Sequence, residues 1–107
     1  MSTQTIQQPT QANKTIVHPL VDVLENDIEF LLVADLPGVT KEALQITANG
    51  NQLELAAETD SLDYRRSFAL GDDVDLEAIE AKLEYGELRI HLPKRAQARV
   101  RKIAVSG

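Results

Sequence analysis

Residues 44–57 read L-Q-I-T-A-N-G-N-Q-L-E-L-A-A, and this stretch decides the fold. On both sides of Asn49-Gly50 the apolar side chains alternate with polar or small ones. Alternation with a period of two is typical of strands with one buried face, and an Asn-Gly pair favours a two-residue hairpin turn. The stretch therefore predicts two antiparallel strands joined by a tight turn.

Short apolar runs of the same kind lie on both sides of this hairpin. Pro37-Gly38 ends the run before it, because proline fixes one backbone angle and glycine permits a positive one. Gly71-Asp72-Asp73 ends the run that follows. This spacing of runs and turns predicts an all-β, antiparallel sandwich of about seven strands. Besides the hairpin, the predicted strands are Leu20–Glu25, Ile28–Leu36, Tyr64–Leu70 and Glu87–Leu92.

The segment Asp75–Glu87 fits two structures. Its leucine and isoleucine residues match a helical stripe that would end at Gly86. Ala81, Leu83 and Tyr85 instead alternate, and Tyr85-Gly86 lies where a hairpin into the last strand would turn. These features favour a strand from Glu80 onward. They leave a helical turn at most over Asp75–Ile79, and they place Tyr85 on a strand face or in the core.

The chain has 107 residues, which suits one domain with one core. Residues 1–19 are rich in Gln and Thr with few large apolar groups, so we expect a flexible N-terminal arm. The predicted sandwich occupies residues 20–93, and residues 94–107 form a C-terminal extension. That extension ends in Ile103-Ala104-Val105, whose two β-branched side chains would point the same way in a strand. Together with the open edges of a sandwich, they suggest binding by strand addition.

Charge is distributed unevenly along the chain. The net charge is −6, but residues 22–89 hold all 17 acids and only five bases, which gives that segment −12. The extension carries five bases and no acid. A basic tail on an acidic body either binds nucleic acid or is attracted to acidic protein surface. No aromatic stacking platform accompanies the tail, so nucleic acid is the less favoured partner.

The residues needed for catalysis or for a cofactor are not found in this sequence. Without cysteine, a disulfide framework, a thiol nucleophile and a cysteine-based metal site are excluded, and a reducing compartment fits. His18 and His91 are predicted at the surface, without partners at ligand spacing. The acidic run 72–77 lacks the glycine and the bidentate Glu of a calcium loop, and no phosphate-binding loop is present. We therefore predict a protein that is not an enzyme and has no cofactor or metal.

No apolar run approaches the roughly 20 residues that cross a bilayer, and the N-terminus lacks the apolar region of a signal peptide. We therefore expect a cytoplasmic protein without membrane contact.

Four motifs in order resemble the α-crystallin domain of the small heat-shock proteins (the Hsp20 family). They are Ala34–Leu44, Asn49–Leu53, Arg66–Leu70 and Ala81–Lys94, and the resemblance spans about residues 20–105. It implies an immunoglobulin-like sandwich with a strand over Glu80–Tyr85. It also implies a chaperone of the stress response that holds unfolding client proteins without ATP and associates with itself into a dimer or a small oligomer.

The resemblance also implies roles for particular residues. Ile103 and Val105 are similar to the family's I-x-I/V tail motif, which inserts into a groove of a neighbouring subunit. Here the groove would lie between Leu44–Ala48 and Glu80–Glu84. Arg66 matches an arginine next to the family's dimer contact, and a plain surface cation is the alternative. The candidate groove residues are Leu44, Ile46, Ala81 and Leu83.

The sequence departs from the family pattern in two places. Bacterial, archaeal and plant relatives exchange a long loop with an extra strand to form their dimer, whereas only Thr59–Asp63 separates the corresponding strands here. Antiparallel pairing through Tyr64–Leu70, as in animal relatives, and a monomer both stay open. The arm, usually rich in aromatic residues, has none. A second function therefore stays open as well, namely an adaptor module that binds one folded partner, as related co-chaperone domains do.

Overall fold

Two four-stranded sheets make up the protein in a computed structural model that describes residues 14–96 and 103–107. Single turns of 3-10 helix at Lys41–Ala43 and Leu76–Ala78 connect strands. The strands are β1 Thr15–Val17, β2 Val21–Glu25, β3 Glu29–Asp35, β4 Leu44–Asn49, β5 Gln52–Glu58, β6 Leu62–Ala69, β7 Glu80–Glu84 and β8 Glu87–Pro93.

One sheet has the order β1-β6-β5-β4 and the other β2-β3-β8-β7. Every neighbouring pair is antiparallel except β1 and β6, which run parallel. The predicted antiparallel β-sandwich is confirmed, including the strand from Glu80 and the helical turn before it. Within the described residues the strands at the lateral edges are β1, β2, β4 and β7, so the sandwich is open on both sides.

The core forms because alternate residues of the inner strands face the opposite sheet. β5 buries Leu53, Leu55 and Ala57 while its other side chains are exposed. Burial of a leucine side chain contributes roughly 1.5–3 kcal/mol, so these strands contribute strongly to stability. The buried apolar residues are Leu32, Ala34, Leu36, Val39, Leu53, Leu55, Ala57, Tyr64, Leu70, Val74, Leu88, Ile90 and Leu92.

Two hairpin turns differ in their backbone. The β4–β5 loop is Gly50-Asn51, one residue later than the predicted Asn49-Gly50 pair, and only Gly50 has a positive φ, of 62°. The β7–β8 loop is Tyr85-Gly86, and both residues have positive φ, of 52° and 77°. Two positive φ values are characteristic of a type I′ turn, which matches the twist of the flanking strands.

The prediction that Tyr85 lies on a strand face or in the core is wrong. The strand ends at Glu84, and the Tyr85 side chain is fully exposed. Continued alternation would have placed the ring inward, but the left-handed backbone of the turn directs it into solvent.

Ordered structure starts earlier than the predicted residue 20. Thr15–Val17 form β1, which pairs in parallel with Leu62–Tyr64 of β6, and the amide of Thr15 donates to the carbonyl of Ser61 at 3.1 Å. Val17 is half-buried and packs against the core. The predicted flexible arm of residues 1–19 therefore contains a strand, because β6 supplies partners that local composition does not reveal. Residues 1–13 lie outside the described part.

The sandwich also ends later than the predicted residue 93. Lys94, expected in the basic extension, is 8% exposed, and its backbone forms an isolated antiparallel β-bridge with Val74. Its Nζ donates to Glu25 at 2.7 Å and lies 5.0 Å from the centroid of the Phe30 ring. The backbone amide of Arg95 donates to the carbonyl of Asp73 at 2.7 Å. Both bases therefore belong to the body, and the other predicted tail bases, Arg99, Arg101 and Lys102, lie outside the described residues.

The described residues contain no helix with the length and apolar character needed to cross a membrane.

Replacement of Tyr85 by asparagine should stabilise the fold. Asparagine tolerates the left-handed region better, and the exposed ring has no buried surface to lose. We expect Tyr85→Asn to raise the free energy of unfolding by roughly 0.5–1 kcal/mol in denaturant titration. Tyr85→Ala, which keeps the unfavourable backbone, is the matched control and should change stability little. A destabilised Tyr85→Asn variant would contradict the prediction.

Candidate functional site

A groove runs along the open side of the sandwich where β4 and β7 form the edges of the two sheets. Its cavity has a volume of about 420 Å³, and we call it the β4–β7 groove. The lining residues are Lys41, Leu44, Ile46, Ala81, Lys82, Leu83 and Leu88. All four candidate groove residues from the sequence are therefore brought together.

The centre of the groove exposes apolar side chains, because no further strand within the described residues covers this side of the sandwich. Leu44, Ile46 and Leu83 are half-buried and pack against the core, while Ala81 is exposed. Leu88, which is fully buried, lies opposite Leu83 in the β7–β8 ladder and contributes to the floor. These side chains leave room for additional apolar groups.

Backbone groups on both sides of the groove are available for hydrogen bonds. In an antiparallel ladder, hydrogen-bonded pairs alternate with non-hydrogen-bonded ones, and the pair that closes a two-residue hairpin is hydrogen-bonded. The closing pairs are Asn49 with Gln52 and Glu84 with Glu87. The alternation then turns the N–H and C=O groups of Ile46, and those of Ala81 and Leu83, toward the open edges. The N–H of Leu44 is already used, since it donates to the carbonyl of Lys41. A strand-like peptide could pair with either edge.

Three lining residues of the groove were missed by sequence reasoning. Lys41 lies in the 3-10 turn before β4, Lys82 alternates with groove residues on β7, and Leu88 lies beneath. Period-two patterning assigns Lys82 to the outer face, and only the closeness of the two sheet edges brings it to the rim. The Lys82 Nζ lies 3.8 Å from a Glu84 carboxylate oxygen, and both side chains are largely exposed. The rim is thus polar around an apolar centre.

The two apolar residues of the tail are available for contacts. Ile103 is 81% exposed and Val105 is 92% exposed, and residues 103–107 form no regular secondary structure. No hydrophobic-core contact within the described residues involves either side chain. Their role as an assembly motif stays a prediction.

Arg66 connects β6 to the end of the arm. Its Nη1 donates to the carbonyl of Pro19 at 2.7 Å, and its guanidinium lies 4.9 Å from the centroid of the Phe68 ring. The neighbouring His18 Nδ1 lies 3.0 Å from the carbonyl oxygen of Arg65. Arg66 is therefore half-buried and not a plain surface cation. Its contact with a second copy stays a prediction.

Arg65 points to the other side of β6 and makes a local pair. Its Nε and Nη2 donate to the two carboxylate oxygens of Asp63 at 3.2 and 3.0 Å. These hydrogen bonds, with the negative charge of Asp63, raise the pKa of the Arg65 guanidinium. This pair is exposed. Of the two neighbouring arginines, Arg66 is thus the one whose side chain binds the arm.

No metal or catalytic cluster is found in the part of the chain that the structure describes. That part contains no group of three or more His, Cys, Asp or Glu residues able to hold a metal ion. The exposed His18 contacts a backbone oxygen, and the half-buried His91 Nδ1 lies 3.1 Å from a Glu29 carboxylate oxygen.

Comparison with protein families points to the same class as the sequence motifs. The model of the Hsp20/alpha crystallin family matches residues 22–106. Small heat shock protein C4 of Rickettsia felis is 31% identical over 114 residues, which cover 92% of this chain and 70% of the relative. The 18 kDa antigen 1 of Mycobacterium avium is 38% identical over 87 residues, which cover 68% of this chain and 59% of the relative.

Solved structures of small heat-shock proteins share the fold. The protein from Xylella fastidiosa superposes with a TM-score of 0.68 at 30% identity, over 83% of this chain and 96% of that one. The protein from Xanthomonas axonopodis gives a TM-score of 0.65 at 28% identity, over 77% of this chain and 96% of that one.

Removal of the Arg66 side chain should loosen β1. Arg66→Ala removes the hydrogen bond to Pro19, so amide hydrogen exchange at Thr15–Val17 should accelerate about tenfold. Exchange can be followed by NMR or mass spectrometry. Arg65→Ala is the matched control, since the Arg65 side chain donates to Asp63 and not to the described residues of the arm. Equal exchange in the two variants would show that Arg66 does not anchor the strand.

Proposed function

Because the chain belongs to the Hsp20/alpha crystallin family, we propose that it is an ATP-independent chaperone that holds unfolding proteins and associates with itself. Its clients would be polypeptides whose apolar segments have become exposed. The proposal includes no catalytic step, since the sequence contains no phosphate-binding loop and no thiol. A cytoplasmic location is part of the proposal, because a cysteine-free chain suits a reducing compartment.

Two observations carry this proposal together, namely the β4–β7 groove and the two exposed apolar side chains of the tail. The β4–β7 groove has edges with free backbone groups, and the tail presents Ile103 and Val105 at high exposure. In an extended tail, residues two apart point the same way and lie about 6–7 Å apart, so both can enter one groove. The tail and an unfolding client share this chemistry, because both offer extended backbone with apolar side chains.

Self-association follows if the tail of one copy occupies the groove of another. A head-to-tail contact of this kind either closes into a ring or grows into a larger assembly. The small heat-shock protein from Xylella fastidiosa has a distinct high order structure, which supports assembly as a property of such chains. The β5–β6 loop comprises only residues 59–61, too short for an exchanged strand, so the tail contact carries more of the assembly here.

A second candidate function is an adaptor that binds one folded partner. The observation in its favour concerns the arm, which contains no Phe, Tyr or Trp. Such aromatic residues would be needed to contact many different clients. An adaptor would capture a single partner at fixed stoichiometry and suppress general aggregation weakly.

Light scattering separates the two functions. A heat-labile client heated with increasing amounts of this protein should scatter progressively less light, because the holdase covers exposed apolar surface before clients meet. An equal mass of a non-chaperone protein is the control. Undiminished scattering at several-fold excess would eliminate the holding function and leave the adaptor.

The tail contact is tested by mass in solution. Ile103→Ala combined with Val105→Ala should give smaller assemblies, because truncation of the two β-branched side chains that the contact would bury weakens it by on the order of a hundredfold. Ala81→Lys, which places a long charged side chain in the β4–β7 groove, should have the same effect. Ala56→Lys lies on the exposed outer face of β5 and is the matched control. If all variants keep the mass of the intact chain, the tail is not an assembly contact.

A further inference from the structure

The second open side of the sandwich carries an exposed apolar surface around β2. Within residues 14–96, six large apolar side chains are exposed, and four of them lie between Leu20 and Ile28. Val23 is 59% and Leu24 is 52% exposed. Leu24 lies opposite the half-buried Leu31, so the apolar surface continues across β3. We call residues 20–28 the β2 edge surface.

The backbone of β2 is unpaired on its outer side. β2 is the terminal strand of its sheet, and β3 is its only strand partner in the described chain. The amide of Asn26 donates to the carbonyl of Glu29 at 3.0 Å, which makes Asn26 with Glu29 a hydrogen-bonded pair. By alternation, Asp22 and Leu24 turn their backbone groups toward β3. Val21, Val23 and Glu25 therefore present free N–H and C=O groups at the open edge.

An apolar recess lies directly inside this edge. It has a volume of about 170 Å³, and Val23 forms part of its wall together with Phe30, Leu32, Phe68 and Leu70. The recess lies between the two sheets, where β6 has no β1 partner beyond Tyr64. A strand added beside β2 could insert alternate side chains into it.

The charge of the β2 edge surface favours one class of occupant. Residues 15–40 contain five acids and no lysine or arginine. Lys94 pairs with Glu25, whereas Asp22 and Asp27 form no ion pair with any described residue. Asp22 alternates with Val23, so it lies on the outer face beside the positions where an added strand would place its outward side chains. A positively charged segment is therefore attracted to this edge.

The same charge disfavours the β2 strand of a second copy at the edge. Two β2 strands paired about a twofold axis would bring Asp22 and Asp27 of both copies within one Debye length, about 10 Å at 0.1 M salt. Residues 15–40 contain no lysine or arginine to offset this repulsion. Residues 1–13 are a poor occupant as well, because their sequence has little apolar character.

We propose that the open edge of β2 binds extended, apolar and positively charged segments of unfolding polypeptides as an added strand. The proposal rests on the holding function and names its client class and binding site. The occupant inserts apolar side chains into the recess beside Val23 and places basic side chains near Asp22. The β4–β7 groove is then left for the tail.

Direct binding of a defined peptide tests the site. The probe is a fluorescently labelled peptide of alternating valine and lysine, about nine residues long, which fits a single strand. A matched peptide with glutamate in place of lysine is the charge control. Fluorescence anisotropy should show that the lysine peptide binds the intact chain more tightly, and that its binding weakens as salt is added.

Proline at Val23 provides the structural test. Val23→Pro removes an outward N–H that β3 does not use, so the sheet keeps its ladder while the edge loses a donor. We expect the affinity for the lysine peptide to fall about tenfold. Ala81→Pro removes the equivalent outward N–H at the β4–β7 groove and is the matched control, with unchanged affinity. Thermal unfolding checks that both variants are folded.

A second variant keeps the test decisive if Val23→Pro does not fold. Leu24→Lys places a cation at an exposed position of the same strand and should lower the affinity for the lysine peptide by a similar factor. The proposal is overturned if every β2 variant that folds binds the lysine peptide as tightly as the intact chain does. It is overturned as well if Ala81→Pro is the only variant that loses binding of this peptide. It is also overturned if Val23→Pro reduces the mass in solution, which would make the edge an interface between copies.

Failure of this proposal differs from failure of the holding function. If the intact chain suppresses client aggregation and the β2 variants suppress it equally well, the β2 edge is not the client site although the protein is a chaperone. If the intact chain suppresses no aggregation, the holding function itself fails.

Discussion

The packing between the inner strands of the two sheets holds the sandwich together, and the character of its open sides depends on it. β5 and β8 lie inside their sheets, and their inward leucines, such as Leu53, Leu55, Leu88 and Leu92, form one buried cluster. Each contributes roughly 1.5–3 kcal/mol by leaving water. The edge strands have a neighbour on one side only, so inward residues such as Ile46 and Val23 stay partly exposed. Packing of the two sheets against each other thus leaves partly exposed apolar side chains at the edge strands.

The two open sides share a physical design but differ in charge. Each combines a terminal strand, outward backbone groups and an apolar recess between the sheets. Lys41 and Lys82 line the β4–β7 groove, whereas Asp22 and Asp27 flank the β2 edge. Backbone pairing is indifferent to sequence, so affinity for many chains comes from the edges and selection among them comes from these charges. Segments of different charge are therefore favoured at the two open sides.

Much of the fold was predictable because alternation directly reports which face of a strand is buried. The hairpin of β4 and β5 and the strand from Glu80 follow from it, whereas the convergence of Leu44 with Leu83 was implied only by the resemblance to the family. Features that depend on tertiary partners were not predictable. β1 exists because β6 offers a parallel partner, and Lys94 is buried because Glu25 and Phe30 neutralise and cover it. The exposure of the β2 edge depends on sheet order, which no local pattern encodes.

The arm and the short loop together restrict how this chain meets a second copy. β1 covers Leu62–Tyr64 of β6, and Arg66 fixes the following backbone at Pro19, so pairing of two copies through the whole of β6 requires displacement of the arm. The three residues 59–61 between β5 and β6 are fewer than a typical strand of about 5–6 residues. Neither route is free of cost, whereas insertion of an exposed tail into a preformed groove requires ordering of the tail alone. The proposed tail contact is therefore the route to assembly that costs this chain the least ordering.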